Sequence, residues 1–376
     1  MKKILLGTTG LVGAALIATA ASAETPKVTL GGFSDFQAGY TDNDLAGDDS
    51  DVGFRNDNEI SVRVDGKTDA GLGYGAVIDL EADISGDNDN EGTNAARTFT
   101  YLEGGWGRVE LGGNRGAAST MRVDASTLAV ATGGINGDWN NFVDPTGATG
   151  ALGAGPIAGA AYVTSSELQG EHGSTSAIGD ESTNNATKLT YYSPRWSGFQ
   201  VGASYTPDLA GRGQTAARDN TIGNNVWDLG VGYETQFDDA TKLALSGTYT
   251  MGDAPAAGGD DLEGWNVGAL LGIWGFNFAG SYGQWSEIAG TAGDEADYWT
   301  AGVGYDMGAI GLSATYLDST YEVAGAGDND FSNLVLGADY KLAPGLTPYA
   351  EVSFYEFDGA VSNDGTQVLV GTQLAF

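Results

Sequence analysis

The last ten residues, Gln367-Val-Leu-Val-Gly-Thr-Gln-Leu-Ala-Phe376, restrict the fold more than any other stretch. Val368, Val370, Leu374 and Phe376 share one parity, while Gln367, Gly371 and Gln373 share the other. Period two describes a strand with one apolar and one polar face. Left exposed at a chain terminus, such a strand frays or aggregates. A closed barrel in a bilayer gives it a partner on both edges and a suitable solvent for each face. A sandwich strand that happens to end on Phe is the plainer alternative, and the rest of the chain decides between them.

The N-terminus reads as an export leader. Lys2 and Lys3 precede an apolar stretch from Ile4 to Ala18, and Ala21-Ser-Ala23 forms an A-x-A cleavage site. The expectation is a signal peptide over 1–23 and a single barrel domain over 24–376. A spanning helix needs roughly 20 apolar residues, and no other segment offers them, so membrane insertion has to use strands. Glycines are spread along the whole chain with only 8 prolines, which leaves no linker to divide it. The chain has no cysteine, which excludes thiol and Cys–zinc chemistry. With 50 acidic against 16 basic residues the net charge is −34, which rules against nucleic acid or anionic lipid as a partner. The acids gather in turn-rich stretches: Asp42-Asn-Asp44, Asp48-Asp-Ser-Asp51, Asp87-Asn-Asp-Asn-Glu91 and Asp328-Asn-Asp330.

Alternation recurs throughout. Trp227, Leu229, Val231 and Tyr233 interleave with Asp228, Gly230, Gly232 and Glu234, and Phe199 to Thr206 repeats the pattern. A helix would spread those polar residues around its circumference, whereas a strand puts them on one side. The pattern predicts strands near 27–40, 56–66, 71–84, 97–104, 106–113, 187–193, 198–206 and 225–236. It continues near 241–251, 263–274, 275–285, 296–307, 309–318, 331–342, 346–357 and 366–376. Short connections alternate with long ones, the latter after Tyr40, Ile84, Gly113, Thr206, Met251, Trp285, Asp318 and Phe357. That asymmetry and the even strand number describe an all-β, 16-stranded antiparallel transmembrane β-barrel. Tyr40, Phe199, Tyr205, Trp227, Tyr233, Trp265, Tyr305 and Phe376 stand where interfacial aromatic girdles would lie.

Residues 114–186 break the rhythm. A stretch this long is functional or disordered, and Met121, Ile135, Trp139 and Phe142 give it apolar mass to pack with. It is expected to fold inward as the third long loop and narrow the pore, with an external cap as the alternative. Charged groups facing each other across water set ion selectivity at such a narrowing. The wall candidates are Arg55, Arg63, Arg97, Arg108 and Arg115, with Lys188 also near a strand end, and the loop candidates are Asp124, Asp138 and Asp144. Arginines on the wall opposite loop acids would create a transverse field.

These residues resemble the general diffusion porins of the bacterial outer membrane, especially their alphaproteobacterial branch. The resemblance is carried by Val28-Thr-Leu-Gly-Gly-Phe-Ser-Asp35, by Arg97 to Gly112, by Gly134-Ile-Asn-Gly-Asp-Trp139, by Lys188 to Pro207 and by the terminal Phe376. It implies a homotrimer in the outer membrane passing small hydrophilic solutes by passive diffusion, with the third loop facing an arginine cluster. It also implies that Phe376 is read by the barrel-assembly machinery. Leu111-Gly-Gly-Asn-Arg115 departs from the Leu-Gly-Arg of many relatives, which bears on where Arg115 sits.

The acid excess favours cations over anions. An enzymatic barrel would need a supported base, and the single histidine, His172, lies in a Gly- and Ser-rich stretch without one. A structural or adhesive barrel could bind Ca²⁺ through Asp48, Asp49 and Asp51 or through Asp87, Asp89 and Glu91, or bridge to lipopolysaccharide. Neither stretch has an EF-hand spacing, and solvated acidic loops are the simpler reading, so no cofactor is required. A sugar-selective channel would need an aromatic track, for which Trp139, Trp274, Phe33 and Tyr192 are the candidates.

Overall fold

The computed structural model describes residues 24–44, 52–82, 95–143, 186–209, 224–238, 240–253, 261–286, 293, 295–325, 327–359 and 362–376. Five strands precede the long segment: β1 (Glu24–Asn43), β2 (Val52–Lys67), β3 (Gly73–Glu81), β4 (Ala95–Gly104) and β5 (Gly107–Gly113). After it come β6 (Thr187–Tyr192), β7 (Phe199–Asp208), β8 (Asn224–Asp238), β9 (Thr241–Asp253), β10 (Leu262–Ile273) and β11 (Phe276–Ser286). The series ends with β12 (Glu295–Met307), β13 (Ile310–Val323), β14 (Gly327–Tyr340), β15 (Leu346–Asp358) and β16 (Asn363–Ala375). Each pairs antiparallel with its neighbours, and β16 returns to β1 to close the barrel.

The closing seam is the terminal strand read from the sequence. Phe376 and Gly32 exchange both backbone hydrogen bonds at 3.1 Å. Val368, Val370, Leu374 and Phe376 face outward and exposed, while Gln367 is fully buried on the lumen side. The same parity runs round the barrel, so its outside is a continuous apolar band: Leu229, Val231, Leu271, Phe278, Leu312 and Leu336 are all exposed there. Only a hydrocarbon solvent suits such a band on a closed sheet.

Aromatic pairs border the band at both ends. Phe199–Tyr233 (4.5 Å between centroids) and Phe276–Tyr305 (4.4 Å) lie at the end with short turns. Tyr205–Trp227 (4.8 Å) and Trp299–Tyr316 (5.1 Å) lie at the other. Trp274 and Gly275, with φ of 51° and 89°, make the two-residue turn between β10 and β11. Two positive φ values match the right-handed twist of the strands they join.

The long–short rhythm fails at two of the expected long connections. β13 runs to Val323 and β14 begins at Gly327, so the loop expected after Asp318 shrinks to a tight hairpin. The connection from β15 to β16 is likewise confined to 359–362. The acids of 328–330 read as loop in the sequence, yet they pair with β13 as the start of β14. A membrane strand needs only about 9–11 residues to span the hydrocarbon, so residues beyond that height meet water on both faces and can be acidic.

Candidate pore constriction

The chain leaves the wall after β5 and turns inward. A short helix α1 (Ala117–Met121) is followed by 3-10 turns at Ala125–Leu128, Gly134–Asn136 and Asp138–Asn141. These pieces follow the inner wall in order. α1 lies against β6 to β9, the first turn against β11 to β13, the second against β13 and β14, and the third against β16. The expected inward fold therefore holds for residues 114–143, and the external cap does not.

A peptide segment this irregular needs partners for its N–H groups, and the wall provides hydroxyls in sequence. Ser204 Oγ accepts from Ala117 N at 2.7 Å, Ser246 Oγ from Val123 N at 2.9 Å and Thr300 Oγ1 from Ala125 N at 3.1 Å. Ser313 Oγ accepts from Val130 N and Thr315 Oγ1 from Ile135 N, both at 3.1 Å. Close approach needs small residues as well. A Cβ at Gly202 or Gly230 would stand 2.7 or 2.8 Å from Met121 Sδ, and one at Gly268 would overlap the Val123 carbonyl. Farther along, Trp139 is fully buried between Phe331 and Tyr355, at centroid distances of 6.0 and 6.2 Å. Ala125, Ile135, Val143, Leu317, Val335 and Phe357 complete that apolar cluster.

The tip of the segment reaches back to β1 and β2. Asp138 Oδ2 accepts from Gln37 Nε2 at 2.5 Å, and Arg55 Nη1 stands 3.5 Å from Asp138 Oδ1. Thr132 Oγ1 accepts from Asp138 N at 3.0 Å and donates to Glu351 Oε1 at 2.9 Å. The Phe142 ring lies over Gly39 and Gly53. Among the described residues, the segment thus covers the wall from β6 round to the start of β2 and does not reach the strip from mid-β2 to β5.

That strip carries charge in pairs. Arg97 Nη2 lies 2.9 Å from Asp79 Oδ2, and Ser61 Oγ donates to Asp79 Oδ1 at 2.5 Å. Arg108 bridges Glu110 at 2.6 Å and Glu103 at 3.0 Å while its guanidinium lies 3.8 Å over the Tyr101 ring. Tyr101 in turn donates to Asp65. Arg55 binds Asp57 at 3.2 Å besides Asp138. Arg63 shares the lumen face of β2 with Glu59.

The expected site residues separate accordingly. Arg55, Arg63, Arg97 and Arg108 stand on the lumen wall, and Asp138 on the segment meets Arg55. Arg115 lies on the outgoing stem just past β5, not on a wall strand. Asp124 is 1% exposed and caps the first 3-10 turn, accepting from Ser126 N at 2.9 Å and pairing with Arg122 at 2.9 Å, so its carboxylate is turned into the segment. Asp144, the acids Asp48, Asp49, Asp51, Asp87, Asp89 and Glu91, His172 and the leader 1–23 lie outside the described residues. Among the described residues, no three His, Cys, Asp or Glu side chains are grouped to hold a metal. Of the four candidates for an aromatic track, Trp139 is buried between the segment and the wall and Trp274, at 78% exposure, sits on a turn, which leaves Phe33 and Tyr192 without those two. The hydroxyls, the seat glycines and Glu351 were missed by charge-based reasoning. Their signal was Ser, Thr or Gly at lumen parity near the middle of successive strands.

A closed sheet with an apolar outside, a polar inside and a segment narrowing the interior defines a transmembrane channel barrel. The chain belongs to the Gram-negative porin family, whose model matches residues 7–360, and it is accordingly an outer-membrane channel protein. It is 25% identical over its whole length to an uncharacterized protein of Rickettsia conorii, which is also matched over its whole length. It is 23% identical to outer membrane protein U of Vibrio parahaemolyticus, over 71% of this chain and 73% of that one. Among solved structures it resembles the anion-selective porin from Comamonas acidovorans, with a TM-score of 0.62 and 20% identity over 94% of this chain and 100% of that one. The trimer form of Vibrio cholerae OmpT gives a TM-score of 0.63 at 13% identity with the same coverage.

Proposed function

We propose that the channel passes ions and small hydrophilic solutes by passive diffusion with a preference for cations, through the space between the inward segment and the strip from β2 to β5. The observation that carries this reading is the charge of the strip. Its lumen face holds Arg55, Arg63, Arg97 and Arg108 against Asp57, Glu59, Asp65, Asp79, Glu81, Glu103 and Glu110. Three of the four arginines are engaged by neighbouring carboxylates, which leaves the surplus negative. The Comamonas relative in fold is named anion-selective, so the barrel alone does not choose the sign of the ion; the lining charges do. Planar-bilayer recording of the purified protein in a KCl gradient tests this. A reversal potential of the sign for K⁺ is expected. The opposite sign at moderate salt overturns the cation preference, and absence of conductance overturns the pore.

The reading includes a homotrimer, supported by the trimer form of the Vibrio OmpT structure and checked by analytical ultracentrifugation in detergent. It includes export with cleavage after Ala23, for which the intact mass of the membrane-extracted protein should begin at Glu24. Phe376, exposed at the closing seam, is proposed as the assembly signal; its deletion should lower the amount of folded barrel in the outer membrane. Ca²⁺ at the acids of 48–51 and 87–91 remains an accessory proposal, which chelator-insensitive conductance would overturn.

A further inference from the structure

The root of the inward segment is tied at one lysine. The chain leaves the wall after Gly113 and rejoins it at Thr187, and these two residues face each other across the β5–β6 ladder. Lys188 turns into the barrel and is only 2% exposed. Its Nζ donates to the carbonyl of Asn114 on the outgoing stem and, at 2.7 Å, to the carbonyl of Ala186 on the returning stem. An ammonium has three donors and no acceptor, so one side chain can hold two carbonyls from separate stems. Burying it is costly unless opposite charge is near. Asp228 of β8 and Glu110 of β5, 2% and 7% exposed, face it.

Both carboxylates are themselves built into the root. Glu110 Oε2 accepts from Asn114 Nδ2 at 2.6 Å. Asp228 accepts from Thr250 Oγ1 at 2.8 Å and lies so close to Gly116 that a Cβ there would overlap it. A buried ammonium with this set of partners does more than fill space, which an apolar side chain would do without the desolvation cost.

We propose that Lys188 is a positioning residue of the pore: by tying the carbonyls of Asn114 and Ala186 it fixes where the inward segment leaves the wall, and so holds the constriction at one width. The proposal rests on the channel reading above. The wild-type recording separates the two, because a wild type without conductance removes the channel, whereas a conducting wild type leaves Lys188 to be judged on its variants.

The test uses single-channel recording of full-length protein. Lys188→Met removes the tie but leaves Asp228 without its cation. Lys188→Met/Asp228→Asn removes both charges, so folding, read by circular dichroism and protease resistance, should be preserved. In whichever of the two folds, the share of time spent outside the main current level should rise about tenfold or more, the effect of losing a charge-assisted hydrogen bond from the docked state. Asn114 and Ala186 lie one step past the Gly113–Thr187 pair that ends the ladder, where antiparallel partners stand roughly 4.5–5.5 Å apart at Cα, within disulfide reach. Adding Asn114→Cys/Ala186→Cys to the double variant should therefore give a steady current when oxidised and a noisy one when reduced, in a chain with no other cysteine. Native noise and conductance in a folded Lys188 variant would overturn the proposal, as would an oxidised form no steadier than the reduced one. If neither Lys188 variant forms a barrel, the lysine serves barrel closure and not the segment, and the proposal is also overturned.

Discussion

The inner wall of this barrel is two walls. From β6 round to β1 it is covered by the inward segment and built like a protein core: fully buried Trp139, Val335 and Phe357, glycines at points of contact, and hydroxyls that each satisfy one peptide N–H. From mid-β2 to β5 no described part of the segment lies on it, and it is built of charge: partly exposed Arg63, Arg97 and Arg108 among carboxylates. Both walls occupy the same parity of the same sheet. What separates them is whether a second layer of chain excludes water. Substitutions on the covered wall should therefore act on the position of the segment and on pore size, and those on the open wall on ion preference with the pore size unchanged.

The strongest attempt to break this division is Trp139→Ala. It empties the stack between Phe331 and Tyr355, a loss of about 3–5 kcal/mol for a large buried aromatic. The barrel ladder does not depend on that ring, so circular dichroism should keep its β signature. Single-channel conductance and the size of the largest permeant neutral solute should both rise as the tip of the segment leaves the wall. A variant with native conductance would mean that the stack does not hold the constriction.

How the two walls divide was only half legible in the residues. The sixteen strands, their parity and the closing seam follow from local alternation, because every strand of a membrane barrel must present one face to lipid. The inward segment shows as the place where that alternation stops and apolar mass remains to be packed. Which lumen residues are wetted does not follow from alternation, because it depends on a segment distant in sequence lying on them. Asp124 and Asp138 are both acids of one loop, yet one caps a turn and the other meets Arg55. Leu317 and Phe331 break the polar parity of their strands because they pack in one cluster with Ile135 and Trp139 of the segment. The hairpin between β13 and β14 was hidden for a different reason. Above the hydrocarbon an acidic residue on the outer face meets water, so Asp328 and Asp330 carry no information about where pairing stops.

Two further substitutions on the covered wall should act in the same direction with smaller effect. In Gly268→Leu the new side chain occupies the place of the Val123 carbonyl. Overpacking of this kind costs about 1–3 kcal/mol, and the displaced segment should become accessible to protease near Val123 in the folded protein. In Thr315→Val the isosteric side chain leaves the buried Ile135 N–H without its acceptor, a cost of about 1–2 kcal/mol. Hydrogen exchange at Ile135 should quicken while the neighbouring strand amides stay protected. Unchanged exchange there would show that the hydroxyl rail is incidental to the docking of the segment.

The smallest effect belongs to the open wall, and it should run in opposite directions for two neighbours. Arg108→Gln leaves Glu103 uncompensated at the water surface and Glu110 uncompensated just beneath it, whereas Glu103→Gln frees part of the Arg108 charge. A unit charge about 4 Å away in water is worth about 1 kcal/mol, so each change should alter the cation-to-anion permeability ratio by only a few-fold. The ratio should rise for Arg108→Gln and fall for Glu103→Gln, with both shifts shrinking as salt is raised and the Debye length shortens. Conductance should stay near the native value, because neither side chain holds the segment. Reversal potentials measured at low and high KCl for the two variants provide the check. A change in pore size with either one would show that the open wall also positions the segment, and the division into two walls would fail.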